Sequence, residues 1–441
     1  MTDTASTPSR VDSAAGGPPF SGPRMVVMAT LMYGLSAPGQ TATISVFLDP
    51  MIADLGVSRT VISTAYLVGT LAGAIALPTI GKLVDRFGVR VSTAWIGAAL
   101  ALALGGLSMA VEVFGLTAGF IGIRAMGQGA MVLAASALLS RWYDKKRGFM
   151  LGIQAALGAG LISLSPIGLE RLIEHFGDWR AAMAVEAAVV ALVAVPMALL
   201  WIRNRPADVG QYVDGDPALA HESKAESGAT RRQAVRTPFY WVLVGAVGMA
   251  GFFGTSIGFH QIALLGEHGL STTEAAANFL PQTIAGTAAT LLTGYLVDRM
   301  GPRVLLAVSM FLLAAGLAMA TAAAPGWNAI AFGLVFGAGA NTAKAIEAGM
   351  TPRYFGTANI GAIRGVMSAV MIAGTSVAPL LYSVFHDWTG SFTEVLWISA
   401  ALPLVVLVAS LVVPLPEPFG AAAGDAVSQR EQDEGAERDT V

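Results

Sequence analysis

Gly81-Lys82-Leu83-Val84-Asp85-Arg86-Phe87-Gly88-Val89-Arg90 is a charged, glycine-bracketed stretch between two long apolar runs. It recurs as Gly294-Tyr295-Leu296-Val297-Asp298-Arg299-Met300-Gly301-Pro302-Arg303, identical at seven of ten positions and displaced by 213 residues in a chain of 441. A decapeptide repeated at about half the chain length marks a protein doubled from one unit. Both copies read as loops, with Gly81 and Gly88 letting the backbone turn tightly and a neighbouring helix approach.

The surroundings of the repeat are strongly apolar. Hydrophobic residues make up 54% of the chain and charged ones only 12%, with a mean hydropathy of +0.64. Soluble domains carry about 25% charged residues, so the composition points to a membrane protein. There is no cysteine, which removes disulfides, thiolate metal sites and thiol chemistry, and there are five histidines. No Gly-x-x-x-x-Gly-Lys-Ser/Thr loop and no paired histidines with an acid occur. An enzyme, a cofactor or a metal centre is not expected. The net charge of −3 says little about partners, and no nucleic-acid partner is expected.

A bilayer core needs roughly 20 apolar residues in helical form. Twelve such runs are present: Met25–Leu48, Thr60–Ile80, Val91–Val111, Phe114–Ser140, Gly148–Gly168 and Ala181–Ile202 in the first half, then Phe239–Leu265, Ala275–Val297, Val304–Ala324, Trp327–Met350, Ala358–Phe385 and Val395–Pro414. We number them spans 1 to 12. They lack period-two alternation and are too long for barrel strands. With both termini inside, twenty of the 26 lysines and arginines fall in cytoplasmic segments, and only Arg59, Arg171 and Arg180 fall in outer loops. The positive-inside rule therefore places both termini in the cytoplasm. The expected organisation is a disordered tail over 1–24, a six-helix bundle over 25–203, a flexible linker over 204–236, a second bundle over 237–415 and a disordered tail over 416–441.

The six-plus-six arrangement, the long central loop and the paired Gly-x-Leu-x-Asp-Arg-x-Gly-x-Arg motifs resemble the major facilitator superfamily. The motifs lie between spans 2 and 3 and spans 8 and 9, where that family carries its cytoplasmic signature. Phe176-Gly177-Asp178-Trp179-Arg180, Arg205-Pro206-Ala207-Asp208-Val209-Gly210, Arg236-Thr237-Pro238-Phe239-Tyr240-Trp241 and Arg353-Tyr354-Phe355-Gly356 together resemble its monocarboxylate porter and oxalate–formate antiporter branch. Span 5 lacks the Gly-Pro-rich signature of drug–proton antiporters. The resemblance implies an all-α integral membrane fold of two pseudo-symmetric six-helix bundles that rock about a central site. It implies a secondary active transporter working by alternating access, moving a small organic anion such as a monocarboxylate by proton symport or exchange. The alternatives are an exporter of another small molecule and a non-transporting membrane sensor on the same fold. The implied setting is the bilayer of a bacterial-type plasma membrane, with the protein a monomer whose partners are its substrate and protons. The resemblance also assigns gating to Gly81, Asp85, Arg86, Gly88, Arg90, Gly294, Asp298, Arg299, Gly301 and Arg303. Asp85 would latch onto the start of span 11 near Asn359 and Ile360, and Asp298 onto span 5.

Charges inside spans carry the substrate question, because an arginine at mid-bilayer costs roughly 2.5–3.5 kcal/mol on insertion scales. Arg124 on span 4 is either a cavity cation for an anionic substrate or a buried structural group. Arg364 on span 11 either binds a carboxylate through its planar fork or snorkels to the interface. Lys344 and Glu347 are three apart on span 10, share a face and are expected to pair near the cytoplasmic interface. Tyr33, Gln40, Thr41, Tyr66 and Gln154 in the first half, and Asn278, Gln282 and Thr283 on span 8, are polar cavity candidates. Glu186 and His260 are the proton-coupling candidates; His260 either senses pH or bonds a neighbouring helix.

Overall fold

A computed structural model describes residues 20–216, 228–297, 299–356 and 359–417. Residues 1–19 and 418–441, most of the tails expected over 1–24 and 416–441, lie outside the described residues, as do the centre of the linker and the gating residue Asp298. Gly22, Pro23 and Arg24, expected in the disordered tail, instead open the helix Gly22–Gly34, where proline fits the first turn.

Uninterrupted apolar sequence becomes helix because in hydrocarbon every backbone N–H and C=O needs an internal partner. Nine described helices have the length and composition to cross a membrane. The longest, Arg59–Ser108, holds spans 2 and 3, while spans 1 and 8 are each built from two shorter helices. Counted so, the described chain makes twelve passes. The fold is the expected all-α membrane architecture of two six-helix bundles.

The interruptions have local causes. Span 1 was expected as one run, but Pro38 lacks an N–H and breaks it. The chain passes from helix Gly22–Gly34 through a tight turn at Ala37–Gly39 into helix Thr41–Leu55. Span 8 restarts at Phe279 after a short helix, Thr272–Ala277, that opens on a Ser271–Glu274 capping box. Span 4 contains a wider π-helical turn over Arg124–Met131 between helices Val113–Ile123 and Val132–Trp142. That turn and the span 1 break press together. A Cβ on Gly39 would sit 2.3 Å from the Ile123 carbonyl oxygen and 2.5 Å from the Gln128 nitrogen.

The two decapeptides are not the symmetric loops the sequence suggested. In the first copy the helix continues through Gly81 to Phe87, and the chain turns at Gly88, whose φ of 80° and ψ of 160° are open only to glycine. A Cβ there would also lie 2.7 Å from the Asn204 side chain. In the second copy neither Gly294 nor Gly301 has a neighbour within 4 Å of a notional Cβ. The last arginine of each copy does matching work. Arg90 Nε donates to the Leu199 carbonyl at 3.0 Å, near the end of span 6, and Arg303 Nη2 to the Val413 carbonyl at 3.1 Å, at the end of span 12 and just past its helix, Thr393–Val412. Each satisfies a carbonyl that a helix end leaves without a partner. Arg86 and Arg299 lie over their neighbouring rings, Phe87 and Tyr295. Asp85 accepts from Arg141 of its own half at 3.1 Å, not from the start of span 11.

The halves meet instead at the opposite end. Thr60 donates to Asp387 at 2.5 Å, the Ser63 and Ser383 hydroxyls lie 2.5 Å apart, and Thr273 donates to Glu174 at 3.4 Å. Deeper in, the Tyr66 and Phe259 rings pack with centroids 4.5 Å apart. At the decapeptide end the linker is seated on each half separately. Asp214 accepts from the backbone of Asp144 and Lys145, and the Ala229 N–H donates to Phe355 at 2.8 Å.

Three glycine substitutions test these backbone contacts. Gly88→Ala is expected to cost about 1–3 kcal/mol of stability, while Gly301→Ala stays within about 0.5 kcal/mol of the parent; thermal unfolding in detergent separates them. Gly39→Ala forces the span 1 break away from span 4 and is expected to cost up to about 3 kcal/mol, read by the same assay.

Candidate functional site

Between the halves lies a cavity of about 450 Å³, lined from both. The first half contributes Thr41, Thr70, Arg124 and Gln128, and the second Thr255, Gln282, Thr283, Asn341, Lys344 and Thr375, among apolar residues and glycines. No aspartate, glutamate or histidine is among the lining residues. The polar surface is therefore two cations, hydroxyls and amides.

Arg124 enters from the π-helical turn of span 4 and is 3% exposed. Its Nε donates to Thr70 Oγ1 at 3.0 Å and its Nη1 to the Gly39 carbonyl at 2.9 Å, the carbonyl presented by the span 1 break. The guanidinium carbon lies 4.5 Å from the Tyr66 ring centroid, and the Tyr66 hydroxyl lies 2.8 Å from Thr41 Oγ1. The ring face supplies electrostatic attraction to the cation. Among the described residues no carboxylate pairs with Arg124. Its charge is hydrogen-bonded and stacked but not neutralised.

Lys344 sits across the cavity on span 10. The expected pair with Glu347 does not form. Glu347, one turn further along and 6% exposed, accepts instead from Arg364, Nε to Oε1 at 2.8 Å and Nη2 to Oε2 at 2.9 Å. The Thr351 hydroxyl adds a third bond to that carboxylate at 3.2 Å. A bidentate guanidinium fork outcompetes a single ammonium for a carboxylate. Lys344 is left with no hydrogen bond or ion pair among the described residues, and Arg364 lies outside the cavity lining.

The other candidates separate in the same way. Gln282 lines the cavity, its Nε2 donating to Gln261 at 2.7 Å and Asn278 at 3.1 Å. Asn278 lies behind it, buried and bonded to the Ala329 carbonyl. Tyr66 supports Arg124 from outside the lining. Tyr33 packs on Gly158 of span 5, Gln40 donates to Ser36, and Gln154 is buried; none of the three lines the cavity. His260 is fully buried between the Tyr382 and Phe392 rings, with Nε2 2.9 Å from the Pro379 carbonyl, on the closed side of the bundle. Glu186 borders a separate apolar void with Pro38, Phe47 and Met183, and its Oε2 has no partner. The sequence reading missed Lys344, Gln128, Thr255, Asn341 and Thr375. Only Lys344 carried a usable signal, since Arg364 was a second possible partner for Glu347.

Residues 29–286 and 260–431 match the Major Facilitator Superfamily. The chain is 26% identical over 355 residues to a probable nitrate/nitrite transporter, NarK2, of Mycobacterium tuberculosis, covering 76% of this chain and 82% of that one. It is 26% identical over 231 residues to the oxalate:formate antiporter of Oxalobacter formigenes, 52% of each chain. Its backbone superposes on a bacterial homologue of the human lysosomal transporter Spinster, in an inward-facing and occupied conformation, with a TM-score of 0.66 at 16% identity over 90% of this chain and 96% of that one. With the fold, the doubled motif and the family match in agreement, the chain belongs to the Major Facilitator Superfamily of transporters.

Proposed function

We propose that this protein carries a small organic anion across the membrane by alternating access, with Arg124 and Lys344 as the two substrate-binding cations. The observation that carries the reading is a cavity holding one cation from each half and no acid to neutralise either. In a low-dielectric setting an anion entering there gains far more than it would from the same charges in water. Relatives named for nitrate/nitrite and for oxalate and formate support an anionic cargo. A cavity of about 450 Å³ favours an organic anion with several polar atoms, for which Thr41, Gln128, Gln282 and Asn341 supply hydrogen bonds.

Exchange is the mode this lining favours. Without bound anion the cavity keeps two positive charges and no titratable acid, so the empty carrier is costly to close around. The proton-symport reading rests on one observation, the unpartnered Glu186 carboxyl behind the span 1 break.

The positive-inside bias puts the decapeptide end in the cytoplasm, with both termini there, the bundles divided at the 204–236 linker, and the described state open inward. In that state Asp85 pairs with Arg141 and is free to reach span 11 only when the cytoplasmic ends close.

Uptake by proteoliposomes tests the reading against a panel of mono- and dicarboxylates. Lys344→Gln is expected to weaken apparent affinity at least about tenfold, the worth of one charge-assisted bond, with folding unchanged. Arg364→Gln is expected to lower the melting temperature and leave affinity within about twofold. Unchanged affinity in Lys344→Gln, or no flux with any anion of the panel, overturns the proposal. Exchange requires internal anion. Uptake into anion-free vesicles under an inward-acid gradient, abolished by Glu186→Gln, establishes symport in its place.

A further inference from the structure

A trough of about 490 Å³ runs between spans 1 and 6, lined by Arg24, Met28 and Leu31 on one side and Val193, Met197 and Trp201 on the other. On each helix these residues are three or four apart and so share one face. The neighbouring Val27, Val189, Leu192 and Leu200 are exposed apolar side chains, as on a helix surface that meets acyl chains. Arg24 and Trp201 stand together at the decapeptide end, where helix-end carbonyls are already taken. Arg90 donates to Leu199, and Arg203 donates to Leu200 and Ile202. Arg24 is exposed and makes no hydrogen bond or ion pair among the described residues, and no acid lines the trough.

We propose that this trough binds an anionic phospholipid, with the phosphate on Arg24 and one acyl chain along Met28, Leu31, Val193 and Met197. The occupant follows from the shape and charge of the site. A single cation at one end of an apolar trough on the bilayer-facing side is complementary to an amphipath with a negative head. The guanidinium fork matches a phosphate's geometry, and an indole at the same level belongs at the headgroup boundary. Basic pockets between helices at this depth favour anionic over zwitterionic heads, because the ammonium of a zwitterionic lipid opposes Arg24. The site is separate from the central cavity and does not depend on the identity of the cargo.

Native mass spectrometry of the intact, delipidated protein tests the proposal, using phosphatidylglycerol and phosphatidylcholine with identical acyl chains. The expected result is a phosphatidylglycerol preference of about fivefold, the weight of one basic residue at an anionic surface. Arg24→Gln removes the preference and Arg24→Lys retains most of it. Leu31→Trp, which fills the trough at a position already 37% exposed, lowers retention of both lipids. Equal binding of the two lipids to the parent protein, or an undiminished preference in Arg24→Gln, overturns the proposal. Displacement of the lipid by glycerol phosphate alone, at the same concentration, also overturns it, since the chain would then contribute nothing.

Discussion

The guanidinium of Arg124 is held by the Gly39 carbonyl, the Thr70 hydroxyl and the Tyr66 ring, and by no carboxylate among the described residues. Each support requires something of the backbone. The Gly39 carbonyl is presented because Pro38 breaks span 1, and it reaches Arg124 because Gly39 and Gly127 allow two backbones within contact. The wide turn of span 4 then aims the side chain into the cavity. Spans 1, 2 and 4 are thus tied through one cation whose desolvation is offset by hydrogen bonds and a ring face rather than by a counter-ion. An acid in their place would have neutralised the cavity on this side.

The second half reaches the same end by subtraction. Span 10 carries a lysine and a glutamate three residues apart, and span 11 carries an arginine. Three groups with one acid among them leave one cation over, and the fork of Arg364 takes the acid. Lys344 is the remainder, and it faces the cavity. Arg364 and Glu347 then fasten span 10 to span 11, and the arginine stays outside the cavity lining.

The doubled decapeptide has a double use in turn. Its final arginines bind the carbonyls at the ends of spans 6 and 12, so in each half the motif fastens the last span of the bundle to the turn between the second and third. Its glycines are unequal, Gly88 being held by φ and by Asn204 while Gly301 stands in open space. The pairing of Asp85 with Arg141 rather than span 11 agrees with halves whose direct contacts, through Thr60, Ser63, Asp387 and Ser383, gather at the opposite end.

The number of passes, their helical character and the doubling were legible in the sequence. These follow from run length, period and the cost of charge in hydrocarbon, all of which are local or additive along the chain. Arg124 was likewise visible as a buried charge needing a reason. Tertiary structure alone decided which cations remain free. Pairing depends on which helix faces bring an acid and a cation within 3 Å, and residue spacing on one helix cannot show that an arginine seventeen positions away wins the carboxylate. It also decided where Pro38 would present a carbonyl and which of two identical glycines must stay glycine. Those outcomes depend on what packs against the backbone, and the packing partners come from elsewhere in the chain.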